Sequence, residues 1–185
     1  MTHPHPVAYW RQEHQDFARL LHVLQKQVDA LHTPREPDYA LMLDIVSYLR
    51  EYTDVAHHPR EDVAFERLAR YCPDLELPLA RLQQEHRVIA HAGEVLSGQI
   101  AAVLRGAIVA REVLEATAST YLVYYQHHLD VEDSRVLERA AQHLTAEDWD
   151  AVRRAARSLD DPLFGEKPSE RFKRLRREIA ERQAA

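Results

Sequence analysis

Apolar side chains recur along the chain at alternating intervals of three and four residues, the spacing that places one face of an α-helix against a core. The first such stretch runs from about Ala8 to His32 and has Phe17 and Leu24 on its apolar face. His14 falls in the same register, so we expect its imidazole to point inward. The pattern therefore predicts a long first helix that carries a polar side chain into the core.

Three further long helices follow from the same periodicity and from residues that begin or end helices. The second is expected over residues 38–71, with Asp38 as its N-cap. The third is expected over residues 77–105, just before Gly106, and the fourth over residues 109–144. Long helices with short connections predict an all-α fold, an antiparallel up-down-up-down four-helix bundle.

Additional helices are expected after the bundle. Thr145 and Asp148 have the spacing of a capping box, and Ser169 is expected to cap a last helix with an apolar stripe. We therefore divide the chain into a bundle over residues 8–144 and a C-terminal helical extension over residues 145–185 that packs on it.

Composition supports a helical protein of ordinary globular character, with 45% hydrophobic and 29% charged residues and only 4 glycines. The net charge of −6 gives no reason to expect nucleic acid as a partner. Cys72 is the only cysteine, which excludes an intramolecular disulfide and fits a reducing compartment. We expect a cytoplasmic protein, because the sequence contains neither a secretory signal nor an apolar run long enough to enter a membrane.

Two sequence motifs each occur twice in the chain, in the same order. The copies are Gln12-Glu13-His14 with His57-His58-Pro59-Arg60-Glu61-Asp62, and Gln84-Glu85-His86 with His127-His128-Leu129-Asp130-Val131-Glu132-Asp133. His14 precedes His57 by 43 residues, and His86 precedes His128 by 42. At a rise of about 1.5 Å per residue, the four helices bring these residues to one level of the bundle. The repeat predicts two similar helical hairpins that share one site.

The chemistry of these residues indicates a metal pair. Each copy ends in His-x-x-x-Glu, which places an imidazole and a carboxylate on one helix face, one turn apart. No Lys or Arg shares these apolar seams at this level, so divalent cations are needed to compensate the buried carboxylates. The glutamates Glu61 and Glu132 are expected to bridge two metals spaced about 3.5–4 Å apart. Mixed imidazole and carboxylate ligands suit iron or manganese, and zinc is also compatible.

On these motifs the chain resembles the hemerythrin-like, or HHE cation-binding, family over residues 10–145. The resemblance implies an oxo- or hydroxo-bridged pair of iron ions that meets oxygen or a related small molecule. The residues that match the family's ligand motif are His14, His57, Glu61, His86, His128 and Glu132.

The third helix departs from the oxygen-carrying hemerythrins, which supply a His-x-x-x-His pair there. Ala90 follows His86 at that spacing, and His91 lies about 140° around a regular helix from His86. One imidazole is therefore missing, and water, His58 or a shifted His91 are the candidates to replace it. An open coordination position is typical of a sensing or reactive centre, so we expect sensing or reaction rather than oxygen transport.

Several assignments stay open at this point. Periodicity alone does not choose between His57 and His58, and only the repeat favours His57, which leaves His58 as an additional ligand or a lining residue. Tyr121 and Tyr125 are either core aromatics or hydrogen-bond donors to a ligand on the metal.

Several functions are also compatible with these residues. The main hypothesis is a di-iron protein that binds or senses oxygen, nitric oxide or peroxide. A redox enzyme acting on peroxide or oxygen, a non-catalytic iron or zinc carrier, and a metal-free interaction bundle are the alternatives. The residues do not identify a catalytic group, and homo-oligomerisation stays open.

Overall fold

The computed structural model describes residues 6–156, 161–165 and 169–183. Within these ranges all regular structure is helical and no strand occurs, which confirms the all-α prediction. The up-down-up-down order of four helices stays a prediction. None of the described helices is both long enough and apolar enough to cross a membrane.

Eight α-helices are present in the described residues. They are α1 (Pro6–Ala30), α2 (Tyr39–Tyr52), α3 (His58–Tyr71), α4 (Glu76–Leu104), α5 (Arg111–Val131), α6 (Leu137–His143), α7 (Ala146–Ala155) and α8 (Lys173–Gln183). The predicted first and third helices agree with α1 and α4 to within two residues at each end. In the C-terminal part, α7 packs against α3, and α8 packs against α2.

The second and fourth predicted helices each contain a π-helical turn. Thr53–His57 joins α2 to α3, and Glu132–Val136 joins α5 to α6. The expectation of uninterrupted α-helices over residues 38–71 and 109–144 is therefore wrong. A π turn accommodates an extra residue, so it changes which side chains after it point into the core.

Local chemistry explains where these turns occur. Pro59 follows the first turn, and it has no amide hydrogen to donate to the carbonyl four residues earlier. Each turn also contains a hydroxyl that bonds to a carbonyl four residues earlier: Thr53 Oγ1 to Leu49 O at 2.5 Å, and Ser134 Oγ to Asp130 O at 2.6 Å. Such side-chain bonds compete with the regular helical pattern.

The expected helix caps are partly present. The amide of Leu41 donates to Asp38 Oδ1 at 2.9 Å, and Thr145 and Asp148 form the predicted capping box. Ser169 precedes the last helical segment, but its side chain makes no capping hydrogen bond, so that prediction is wrong. A 3₁₀ turn over Glu170–Phe172 begins this segment instead, and α8 follows it.

The apolar core consists of two clusters with a layer of polar side chains between them. Along α1, Trp10 belongs to one cluster and Phe17 to the other, and His14 lies between them. The same order recurs on α4 around His86. The helices therefore present their polar residues at one level, enclosed by apolar packing on both sides.

Candidate metal centre

Five imidazoles and two carboxylates meet in the polar layer. Each side chain is at most 5% exposed, so water does not compensate the charges. They are His14 of α1, His57 and His58 at the junction with α3, Glu61 of α3, His86 of α4, His128 of α5, and Glu132 at the junction with α6. All six ligands expected from the sequence are thus brought together, and His58 joins them.

His14 and His57 form one end of this group, which we call the two-histidine side. Their Nε2 atoms are 3.2 Å apart. Glu61 Oε1 lies 2.9 Å from His57 Nε2 and 3.3 Å from His14 Nε2. Glu132 Oε2 lies 3.5 Å from His14 Nε2. Nitrogen and oxygen donors therefore converge on one point.

His58, His86 and His128 form the other end, the three-histidine side. His86 Nε2 lies 3.0 Å from His128 Nε2, and the rings of His58 and His86 are stacked with centroids 4.2 Å apart. Glu132 Oε1 lies 3.1 Å from His128 Nε2. Glu61 Oε2 lies 3.5 Å from His86 Nε2. Ligand atoms of these three histidines and Glu61 all lie within 4.8 Å of one another, close enough to share one cation.

Both glutamates span the two sides. Glu61 and Glu132 each direct one oxygen toward the two-histidine side and the other toward the three-histidine side. Glu61 Oε2, both Glu132 oxygens and His58 Nε2 are buried without a hydrogen-bond partner among the described residues. Buried lone pairs that point at one another are costly unless a cation lies between them. The donor set therefore fits a pair of metal ions with two bridging carboxylates.

Every imidazole of the group has a second carboxylate beside its Nδ1 atom. The pairs are His14 with Asp133 at 2.9 Å, His57 with Glu13 at 3.1 Å, His58 with Asp54 at 3.3 Å, His86 with Asp62 at 2.9 Å, and His128 with Glu85 at 3.6 Å. A carboxylate at Nδ1 favours the tautomer that leaves Nε2 free for a metal and fixes the ring orientation.

Two of these five carboxylates contact a histidine in the opposite half of the chain. Asp62, in the half formed by α1–α3, pairs with His86 of the half formed by α4–α6. Asp133 of the second half pairs in turn with His14 of the first. The glutamates of the two Glu-His pairs instead contact a histidine within their own half. Each repeated motif therefore contributes an orienting carboxylate, a role that the sequence reasoning missed although the repeats contained these residues.

Comparison with known proteins agrees with this donor set. A family model described as the hemerythrin HHE cation binding domain matches residues 5–140, most of the chain. The chain belongs to the hemerythrin HHE cation-binding family. No curated protein matches it. The family and the clustered His and Glu side chains fit a dinuclear metal-binding protein, which confirms the resemblance inferred from the sequence.

The charges in this HHE domain are unusual for a metal-free core. Burial lowers the pKa of His14, but hydrogen bonds to Asp133 and Glu61 outweigh it and raise the pKa to about 10. The pKa of His86 is raised to about 10 for analogous reasons. Burial and the neighbouring His86 hold the pKa of His58 well below its ordinary value. Without metal, protons therefore provide positive charge that cations would supply in the loaded domain.

The π turn brings both His57 and His58 into the ligand group, so one need not be chosen over the other. A regular helix turns consecutive residues about 100° apart, but both imidazoles are buried in the group. His91, the other candidate for the missing imidazole, is exposed on α4 and belongs to neither set of clustered ligands. In this HHE domain the fifth imidazole thus comes from the second helical stretch rather than the third.

Tyr121 and Tyr125 of α5 are buried beside the three-histidine side. The ring of Tyr125 lies 6.0 Å from that of His58, and Tyr121 packs edge-on against Tyr125 at 5.5 Å. The Tyr125 hydroxyl makes no hydrogen bond of standard geometry within the described residues. Of the two candidate tyrosines, Tyr125 is the one in contact distance of a clustered histidine.

Proposed function

We propose that the chain holds two iron ions in this site and binds or senses oxygen, nitric oxide or peroxide at an open coordination position. The proposed ligands are His14, His57, His58, His86, His128, Glu61 and Glu132. The observation that carries the proposal is the unequal distribution of imidazoles about Glu61, which belongs to both clusters, and Glu132, which contacts His14 and His128.

Counting donors identifies the side with the open position. On the three-histidine side, three imidazoles and one oxygen from each glutamate would supply five protein donors to a bound ion. The two-histidine side has one imidazole fewer and so retains an open position. The open position thus arises from the unequal number of imidazoles on the two sides, and not from an imidazole missing from the third helix, as was expected from the sequence.

The residues around the site are compatible with iron as the metal. The donors are imidazole nitrogens and carboxylate oxygens, a set that suits iron or manganese and is compatible with zinc. Cys72, the only cysteine, is buried in an apolar cluster and is absent from the ligand groups. Apolar rings also shield the imidazoles: Phe17 packs edge-on against His57 at 5.0 Å, and Phe65 stacks on His86 at 5.9 Å. These rings keep bulk water from the donors.

Reconstitution with ferrous iron under anaerobic conditions tests the proposal. We expect about two irons per chain and, on exposure to air, the charge-transfer absorption of an oxo-bridged pair. Nitric oxide and peroxide added separately should each change the spectrum if they bind at the open position. Less than one iron per chain, or no such band in air, would overturn the proposal.

A matched pair of variants on α3 isolates the site. Glu61→Gln removes a bridging carboxylate, whereas Glu66→Gln changes an exposed residue on the same helix. We expect Glu61→Gln to lose the paired-iron spectrum and Glu66→Gln to retain it. Equal spectra for both variants would exclude Glu61 as a bridge.

A redox enzyme acting on peroxide or oxygen is the second candidate. It is favoured by Tyr52, whose hydroxyl is hydrogen-bonded to Tyr9 and to the Glu13 carboxylate beside His57, because phenols can supply electrons and protons together. Sustained peroxide consumption by the iron-loaded protein, lost in Glu132→Ala with the helical fold retained, would support this candidate over simple ligand binding.

A further inference from the structure

A chain of hydrogen bonds leads from the protein surface to the two-histidine side. The hydroxyl oxygens of Tyr9 and Tyr52 are 3.2 Å apart, and the Tyr52 hydroxyl donates to Glu13 Oε1. The other oxygen of Glu13 lies 3.1 Å from His57 Nδ1. Tyr52 and Glu13 are buried, whereas Tyr9 is 44% exposed. The outer end of this chain is thus accessible to solvent, and its inner end contacts a proposed iron ligand.

The Tyr52 hydroxyl takes part in two hydrogen bonds but can donate only one of them. Tyr52 has one hydroxyl hydrogen, and it is donated to Glu13. The bond between the two phenols must therefore be donated by Tyr9. Burial and the Glu13 carboxylate raise the pKa of Tyr52 far above its ordinary value, so this phenol does not ionise alone. Both hydrogens are consequently aligned for movement from the surface toward Glu13.

The internal repeat lacks these tyrosines in its second copy. Glu85 occupies the position of Glu13 in the second half and faces His128 at 3.6 Å. Tyr9 and Tyr52 lie five residues before His14 and His57. In the second half, the residues five positions before His86 and His128 are Arg81 and Val123. Arg81 donates to Glu85, and Val123 is exposed. The tyrosine pair is therefore confined to the half whose carboxylate contacts the two-histidine side.

The exposed end of the chain opens into a surface groove. Tyr9 and Arg60 line the groove, which has a volume of about 580 Å³, together with Arg153. The guanidinium of Arg60 lies 5.8 Å from the centre of the Tyr9 ring and donates to Glu13 at 3.1 Å. Arg60 pairs with Glu13 and Arg153 pairs with Asp150, but each guanidinium has five N–H donors, so the groove retains donors for a small anionic molecule near Tyr9.

We propose that Tyr9 and Tyr52 carry hydrogen atoms from a small anionic reductant in this groove toward the metal pair after hydrogen peroxide has oxidised it. This inference rests on the proposed function, since it requires a loaded redox-active pair. The reductant class that fits is an ascorbate-like enediol or an acid that bears a thiol, because each can release one electron with one proton.

The steps balance in electrons and protons. Tyr52 breaks its O–H bond, gives the proton to Glu13 and gives the electron to the oxidised metal pair, and so becomes a neutral radical. Tyr9 then transfers a hydrogen atom to Tyr52, which re-forms the Tyr52 O–H bond. The reductant transfers a hydrogen atom to Tyr9 and becomes a radical itself. The net result of one such sequence is one electron on the metal pair, one proton on Glu13 and one hydrogen atom removed from the reductant.

Electron paramagnetic resonance of the iron-loaded full chain, frozen rapidly after mixing with hydrogen peroxide, tests the inference. We expect a tyrosyl radical in the unaltered protein and its loss in Tyr52→Phe. Tyr71→Phe is the matched control, because the Tyr71 hydroxyl also donates to a carboxylate, that of Asp148, outside the ligand group. A radical of equal yield in Tyr52→Phe and Tyr71→Phe would overturn the inference, as would its absence from the loaded protein.

A second variant gives an independent result if Tyr52→Phe fails to fold. Tyr9→Phe changes a partly exposed residue, and we expect the radical on Tyr52 to persist several-fold longer when ascorbate is added. An unchanged lifetime would exclude Tyr9 as the outer carrier. Iron content is measured first in every sample. A protein that fails to bind iron contradicts the proposed function. A protein that binds iron but forms no radical contradicts only the proposed role of the tyrosines.

Discussion

The imidazole of His58 lies almost parallel to that of His86, with 4.2 Å between ring centroids and 14° between ring planes. The stacking places His58 in the same ligand group as His128 and Glu61. It arises where the π turn Thr53–His57 ends, so an irregularity of one helical turn adds an imidazole to the site.

Replacing His58 should therefore weaken metal binding on the three-histidine side. We expect His58→Leu to lower iron affinity there by about 10–100-fold or more, since even residues that only orient ligands have effects of this size. Iron titration followed by metal analysis measures the change. His91→Leu, at an exposed histidine on α4, is the control and should bind iron normally. Equal affinities for the two variants would remove His58 from the proposed ligand set.

Metal uptake should release protons at neutral pH. The raised pKa values of His14 and His86, each about 10, mean that both imidazoles are protonated at pH 7 in the metal-free protein. A cation can bind Nε2 only after the proton leaves, so apparent affinity should rise with pH. Calorimetry in two buffers with different ionisation enthalpies measures the released protons. Identical heats in both buffers would contradict this prediction.

The same pKa shifts predict how the metal-free fold responds to alkali. Protonated His14 and His86 stabilise the folded state by pairing with buried and half-buried carboxylates. Because their folded pKa values lie above the ordinary value of 6.5, this contribution is complete below about pH 6.5 and is lost as pH rises through about 10. Urea unfolding across this range should show metal-free stability falling with pH, and constant stability would argue against the shifts.

Replacing either of two glycines on α4 with alanine should change the stability of the protein by different amounts. A Cβ at Gly93 would lie 3.0 Å from Tyr121 Cε2 and 3.2 Å from Arg50 Cδ, whereas one at Gly98 would meet nothing within 4 Å. Gly98→Ala should stabilise the protein by about 0.5–1 kcal/mol through helix propensity. Gly93→Ala should be less stable than Gly98→Ala by about 1–3 kcal/mol because of overpacking. Thermal unfolding compares them, and equal stabilities would contradict the close packing of Tyr121 on α4.

Asp148 should stabilise the docking of α7 on α3 at neutral pH. Its carboxylate accepts hydrogen bonds from Arg67 at 2.7 Å and Tyr71 at 3.0 Å, in addition to the capping box with Thr145. Burial raises its pKa, but the bonds to Thr145 and Arg67 outweigh burial and hold the pKa well below its ordinary value. We expect Asp148→Asn to lower the free energy of unfolding by about 1–3 kcal/mol at pH 7.

Acid should remove this difference. A depressed folded pKa stabilises the fold above the ordinary value of 3.8 and ceases to do so as pH falls through the folded value. The difference between the free energies of unfolding of Asp148→Asn and the unaltered protein should therefore begin to shrink as pH falls below about 3.8. Asp150→Asn, at an exposed position of the same helix, is the control and should match the unaltered protein throughout. A difference that persists in acid would assign the effect to packing.

Most of the helices and the principal proposed ligands could be predicted from local patterns. A periodicity of three and four residues located α1 and α4, and the repeated His-x-x-x-Glu motifs identified residues that do meet in the core. These patterns worked because a helix converts spacing along the chain into direction in space.

The remaining features depend on contacts that a helical wheel does not contain. Periodicity assumes a constant 3.6 residues per turn, so it could not anticipate that a π turn presents both His57 and His58 to the core. The partners of the imidazole Nδ1 atoms depend on packing between distant segments, as in the contact of Asp62 with His86. A carboxylate adjacent to a ligand in sequence orients a different ligand in space, which no local rule predicts.

The crossed contacts of Asp62 and Asp133 determine when a working site can exist. While the chain is being synthesised, His14 is available early, but its orienting partner Asp133 is among the last parts of the metal domain to emerge. The first half alone lacks three of the proposed ligands and an oriented His14. His14, His57 and Glu61 all belong to the first half, whereas the three-histidine side needs both halves, so occupancy by two ions would report that the halves have docked.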